Sequence, residues 1–168
     1  MRREASLDPF LGYRYNLLRE WDPALLKVGF CMANPSIANG HADDPTATRC
    51  INFARSWGYG GLWIVNLATF IATEPKALID ARKRGIDIYQ FADGEIAIVL
   101  QKVGKMVAAW GKVGQMQERA EAVKRLITED FRLPLYHLGL NLDGSPKHPL
   151  YLKASTRPAL WIGGQDAD

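Results

Sequence analysis

The chain is poor in the residues that build metal centres or cross-linked scaffolds, with two cysteines and three histidines among 168 residues. Cys31 lies inside an apolar run and Cys50 on an expected helix, so two reduced, buried thiols are expected in place of a disulfide. His41, His137 and His148 are widely scattered and no Cys/His cluster has zinc spacing, so neither a metal nor an organic cofactor is implied. Excess charge is scarce as well. Lys and Arg number 21 against 18 Asp and Glu, a formal +3. That balance admits an anionic ligand but falls short of the surplus usual in nucleic-acid-seeking domains. No apolar run approaches the roughly 20 residues that cross a bilayer, so no membrane partner is expected. The opening Met1–Asp8 carries charges, followed by Pro9, where a signal peptide has its apolar stretch. The expected location is the cytoplasm.

What the sequence does contain is a core. At 48% apolar, residues 1–168 suit one globular domain, with 163–168 as a short flexible tail. Tyr13–Trp21 mixes aromatic and polar residues before the Asp22-Pro23 turn and reads as an edge strand. Lys27–Ala33, Leu62–Leu67, Lys105–Trp110 and Leu133–Leu138 are short apolar runs, as in strands covered on both faces. Between them lie helical stretches: Pro45–Trp57, opened by an Asx cap and closed by Gly58, then Pro75–Lys83, Ile86–Val103 and Gln115–Asp130. Strands alternating with helices predict an α/β fold, a mostly parallel central sheet sandwiched between helices in three layers, α/β/α.

Open parallel sheets bind ligands beyond the carboxyl ends of their strands. The first apolar strand delivers Asn34, Pro35 and Ser36, then the polar loop with Asp43 and Asp44; the second delivers Asn66, the third Trp110, and the fourth a Gly/Pro-rich loop containing Lys147, His148 and Tyr151. Asn34 before proline is extended, and its amide either holds a water or substrate carbonyl or closes an Asx turn. Asn66 interrupts an apolar strand, so its amide needs partners, from a ligand or from a neighbouring loop. One of Asp43 and Asp44 caps the following helix, while the other is a candidate base for water, since paired carboxylates raise one pKa. Arg49 either pairs with an acid or grips a phosphate. His148 beside Lys147 is expected to lose its proton readily, leaving a neutral imidazole able to donate to a developing anion; the bland alternative is an ordinary surface loop. Trp110 either packs or stacks on a base.

Several strings together resemble a bacterial and phage family known as domain of unknown function 1643: Met32-Ala33-Asn34-Pro35-Ser36, Asp43-Asp44-Pro45-Thr46 with Arg49-Cys50, Trp57-Gly58-Tyr59, Asn66-Leu67, Trp110-Gly111 and Pro146-Lys147-His148-Pro149-Leu150-Tyr151. A fainter likeness is to the uracil-DNA glycosylase superfamily. Asn34-Pro35 falls where several branches carry a water-positioning Asn-Pro, Asn66 where some carry a base-reading asparagine, and His148-Pro149 where the last motif begins. That resemblance implies a three-layer α/β/α fold and a histidine that stabilises the leaving base. The sequence departs from the pattern at Ser36, where those branches have glycine, and at Leu150-Tyr151, where they have Ser-Pro.

Three readings follow. The first is an enzyme that hydrolyses an N-glycosidic bond in a nucleobase-containing small molecule or nucleic acid. Asn34, or an acid from Asp43 and Asp44, would position or activate water, Asn66 would read the base and His148 would stabilise it on departure. The second is a module that binds a nucleotide or modified base without turnover. The third is a metal-dependent hydrolase built on Asp43 and Asp44.

Overall fold

The computed structural model describes residues 1–163. Seven strands form one sheet: β1 (Arg2–Asp8), β2 (Tyr13–Glu20), β3 (Lys27–Met32), β4 (Gly61–Asn66), β5 (Lys105–Ala108), β6 (Leu135–His137) and β7 (Ala159–Ile162), in spatial order β1-β2-β4-β3-β5-β6-β7. Four helices connect them: α1 (Pro45–Ser56), α2 (Pro75–Lys83), α3 (Ala92–Leu100) and α4 (Gln117–Arg125). The central strands β4-β3-β5-β6 pair in parallel, as the strand–helix alternation predicts.

The sheet as a whole is mixed, which corrects the expectation of a mostly parallel one. β1–β2, β2–β4 and β6–β7 are antiparallel. Tyr13–Glu20 is accordingly not an edge strand, because β1 covers its outer side. The charged run Arg2-Arg3-Glu4 conceals β1 in the sequence; it is an exposed edge on which Arg2 pairs with Glu4 and with the buried Glu20 of β2. Of the expected tail 163–168, residues 164–168 lie outside the described residues; Gly163 follows β7 directly.

Alternation along the parallel strands explains the core. Val28, Phe30, Leu62, Ile64 and Val107 join Phe53 and Ala54 of α1 in one cluster, while Cys31, Val65, Met106 and Ala108 join Ile96 of α3 and Val123 of α4 in another. Helices therefore bury their apolar stripes on both faces of the sheet. Trp57 closes α1 by stacking on Phe53 at 5.3 Å and Phe30 at 5.7 Å. Burial of one such aromatic contributes about 1.5–3 kcal/mol. The helix expected over Ile86–Val103 shortens to α3 because Thr69 captures the carbonyls of Ile88 and Gln90, and Phe91 takes a left-handed φ of 56°. Among the described residues no helix is long and apolar enough to cross a membrane.

Candidate functional site

β3 and β4 run side by side and end together, Met32 opposite Asn66. Backbone bonds from the Leu67 amide to the Met32 carbonyl and from the Ala68 amide to the Ala33 carbonyl, both 2.9 Å, carry the pairing past those ends, and a cavity of about 340 Å³ opens there. Met32, Asn34 and Ser36 line it from β3 and its following loop, Asn66 from β4, Asp44 from the start of α1, and His148 from the loop after β6.

Asn66 sits at 2% exposure, and neither its Nδ2 nor its Oδ1 has a hydrogen-bond partner. A buried polar group left in this state costs about 1–3 kcal/mol. The residue opposes its own burial, and a ligand offering one donor and one acceptor would remove the conflict. Asn34 is differently placed. Its Nδ2 donates to the carbonyls of Ala72 at 2.7 Å and Pro35 at 3.2 Å, tying the loop after β3 to the loop after β4. The amide so stapled shapes the cavity wall and keeps Oδ1 without a partner among the described residues.

The two aspartates separate. Asp43 points away from the cavity: Oδ1 accepts from Arg19 Nε at 2.7 Å and Oδ2 from Arg3 Nη1 at 2.6 Å. Burial works to raise its pKa, but the bonds and charges of Arg3 and Arg19 outweigh it and hold the carboxyl below the usual range. Asp44 caps α1, with Oδ1 accepting from the Ala47 amide at 2.7 Å, and lines the cavity as well. Capping and a place at the site thus fall to one residue. Since both oxygens of Asp43 are bound by arginines, the pair does not form a two-carboxylate cradle for a cation. Among the described residues no group of three or more His, Cys, Asp or Glu is placed to hold a metal ion.

His148 accepts a bond on Nδ1 from the Leu150 amide at 3.2 Å, so the neutral ring carries its proton on Nε2. His148 is exposed as a residue, yet partial desolvation of its ring among the surrounding loops lowers its pKa, and the attraction of Asp44 opposes that shift. Lys147 plays no part in it, contrary to the expectation from its position. Its side chain lies over Gly139 and its amide donates to the Gly139 carbonyl at 2.8 Å.

The cavity thus gathers Asn34, Ser36, Asp44, Asn66 and His148. Pro35 is buried behind it, its carbonyl accepting from the Ala72 amide at 3.0 Å. Arg49 lies over the Phe53 ring at 4.8 Å, Trp110 packs in the core against Trp161 at 6.0 Å, and Tyr151 is exposed. None of these four lines the cavity.

Sequence reasoning missed Arg14, which enters from β2. Its one visible signal is a cation between Tyr13 and Tyr15 on a strand whose faces are both covered. Arg14 is 4% exposed, and burial pushes its pKa down to about 10, with Asp44 opposing and Arg19 adding to the shift. Thr46, Thr73 and Glu74 line the cavity too. A second cavity of about 340 Å³ lies across Asn34 and Pro75 from the first, with an apolar lining that includes Leu78, Ile88, Val113 and Met116. It lies between the loops that follow β3 and β5, where the strand order reverses and where α/β sheets commonly take ligands. The polar residues have assembled one strand further over.

Residues 14–150 match the family described as protein of unknown function (DUF1643). The chain belongs to that family. No curated protein and no solved structure matches it. The matched span begins at Arg14 and ends at Leu150, both cavity residues, so this family segment contains every residue that lines the polar cavity.

Proposed function

We propose that this family member acts on a nucleobase-containing substrate, hydrolysing its N-glycosidic bond. The observation that carries the reading is Asn66: a buried amide with an unpartnered donor and acceptor at the wall of a cavity of about 340 Å³. That volume lies at the small end of ligand pockets, which run from about 300 to 1,000 Å³. An edge with one carbonyl and one N–H complements such an amide, and Met32, Ile64 and Leu150 supply apolar surface for a ring. In the reaction water adds to the anomeric carbon as the carbon–nitrogen bond breaks, the bond electrons leaving with the base. Asp44 would take the proton of the water, and the Nε2–H of His148 would stabilise the charge on the base. The likeness of Asn34-Pro35, Asn66 and His148-Pro149 to glycosylase motifs, together with helices on both faces of a sheet with a parallel centre, supports the same reading.

Incubation with a panel of nucleosides, nucleotides and single- and double-stranded oligonucleotides containing modified bases tests it, with free base measured by chromatography. The expected result is base release by the parent protein and none by Asn66→Leu. A second reading, binding without turnover, draws on the bond that commits Asp44 Oδ1 to capping α1 at the Ala47 amide. Saturable binding of a base or nucleotide with no product over long incubation would favour it.

A further inference from the structure

Two buried arginines on β2 reach the same loop, and they differ in one respect. Arg19 is fully buried and well partnered: Nε donates to Asp43 at 2.7 Å, Nη1 to the Leu18 carbonyl at 2.8 Å and Nη2 to the Ala42 carbonyl at 3.2 Å. Arg14 clamps the loop once, from Nη1 to the Ala38 carbonyl at 2.6 Å, while its buried Nε has no partner. It forms no ion pair among the described residues, and it lines the cavity where Arg19 does not.

A structural role accounts for Arg19 completely. For Arg14 it accounts for one bond and leaves the charge in a desolvated place, with Asp44 acting on it across the cavity but forming no ion pair with it. Two other arginine nitrogens, Arg49 Nε and Arg119 Nη2, are buried and unpartnered, but neither residue lines this cavity. Arg14 and Asn66 are thus the two side chains that both line the cavity and carry buried, unpartnered polar atoms among the described residues. The carboxylates of the cavity are placed otherwise: Asp44 caps α1, and Glu74 is exposed at the start of α2.

We propose that Arg14 forms an anion subsite in this cavity, so that the preferred ligand is a heterocycle presenting a negatively charged oxygen to Arg14 and a neutral carbonyl and N–H edge to Asn66. The subsite rests on the reading of the cavity as a base pocket and deepens it. Arg14 becomes the group that selects an ionised or readily ionising ring, a task that neutral His148 performs less well because a charged donor makes the stronger hydrogen bond.

The test compares calorimetric binding of two planar rings of similar size, uracil, neutral at neutral pH, and barbiturate, which is ionised there. The parent protein is expected to bind barbiturate about tenfold or more tightly, the magnitude of one charge-assisted bond. Arg14→Gln keeps a donor for the Ala38 carbonyl and should bring the two affinities close together, while Arg14→Lys keeps the charge and should retain part of the preference. Asn66→Leu should weaken both rings alike. Melting curves separate loss of folding from loss of selectivity; if Arg14→Gln does not fold, Arg14→Lys and the parent still decide the matter through the ratio of the two affinities. Equal binding of the rings by the parent, or a preference that survives in Arg14→Gln, overturns the anion subsite and leaves the base pocket standing. Absence of binding by either ring overturns both.

Discussion

Gly111 makes room for His148. The glycine follows Trp110 after β5 with a left-handed φ of 70°, and a Cβ placed on it would stand 3.3 Å from His148 Cβ. The end of one strand thereby seats the imidazole-bearing loop of another. Gly111→Ala would strain the backbone, costing about 1–2 kcal/mol, and would also press on His148. Chemical denaturation should show that loss. Ligand binding at the cavity should weaken further than in a destabilised control carrying its substitution away from the site.

Asn66 yields an opposite expectation. Its amide has no partner among the described residues, so an apolar side chain should be tolerated or preferred: replacing a buried unsatisfied group is close to neutral or stabilising. Asn66→Leu should melt at or above the parental temperature while losing ligand binding. A clear drop in melting temperature would show that the amide is satisfied in the folded protein and would remove the main support for a base pocket.

The parallel centre of the sheet was legible in the sequence because Lys27–Ala33, Leu62–Leu67 and Lys105–Trp110 are buried on both faces and so read as continuous apolar runs. The outer strands were not. β1 is solvent-exposed and charged, and the short β7 is half exposed, so neither carries a strong apolar pattern. The site was legible to the extent that strand ends mark it: Asn34, Asn66 and the loop with His148 converge as the topology rule implies. Which aspartate faced the cavity was not legible, because that depends on Arg3 and Arg19 taking Asp43, and Arg3 belongs to the strand that the sequence concealed. Arg14 stayed hidden for a related reason. The place of the cation between Tyr13 and Tyr15 was its one signal, and on a strand assigned to the sheet edge that signal does not distinguish inward from outward.

Asp43 anchors the loop between β3 and α1 to a fully buried arginine, so its removal should be expensive. Asp43→Asn leaves Arg19 without its counter-charge, and breaking such a pair costs about 3 kcal/mol or more. Since the folded carboxyl is held below its ordinary value of 3.8, its contribution to stability is present above that pH and disappears as pH falls through the lower folded value. Urea midpoints measured from neutral to acid pH should therefore fall less steeply in Asp43→Asn than in the parent.

His148 titrates in a window where its neighbours can be told apart. Partial desolvation of the ring in this otherwise exposed residue lowers its pKa from the ordinary 6.5 and Asp44 opposes this, so the folded ring stays neutral to lower pH than a free histidine. Below pH 6.5 the unfolded chain takes up a proton that the folded ring resists, and His148 then contributes to acid destabilisation. Proton NMR of the imidazole C–H signals should place its midpoint under 6.5, with the resonance assigned by its loss in His148→Gln. Asp44→Asn should move that midpoint lower still, because it removes the charge that favours imidazolium. Lys147→Ala should leave it in place, since desolvation of the ring rather than the adjacent ammonium sets the shift. A midpoint above 6.5, or one that falls only when a cation is added nearby, would show a solvated ring. It would also deprive the proposed chemistry of the neutral Nε2–H donor on which it draws.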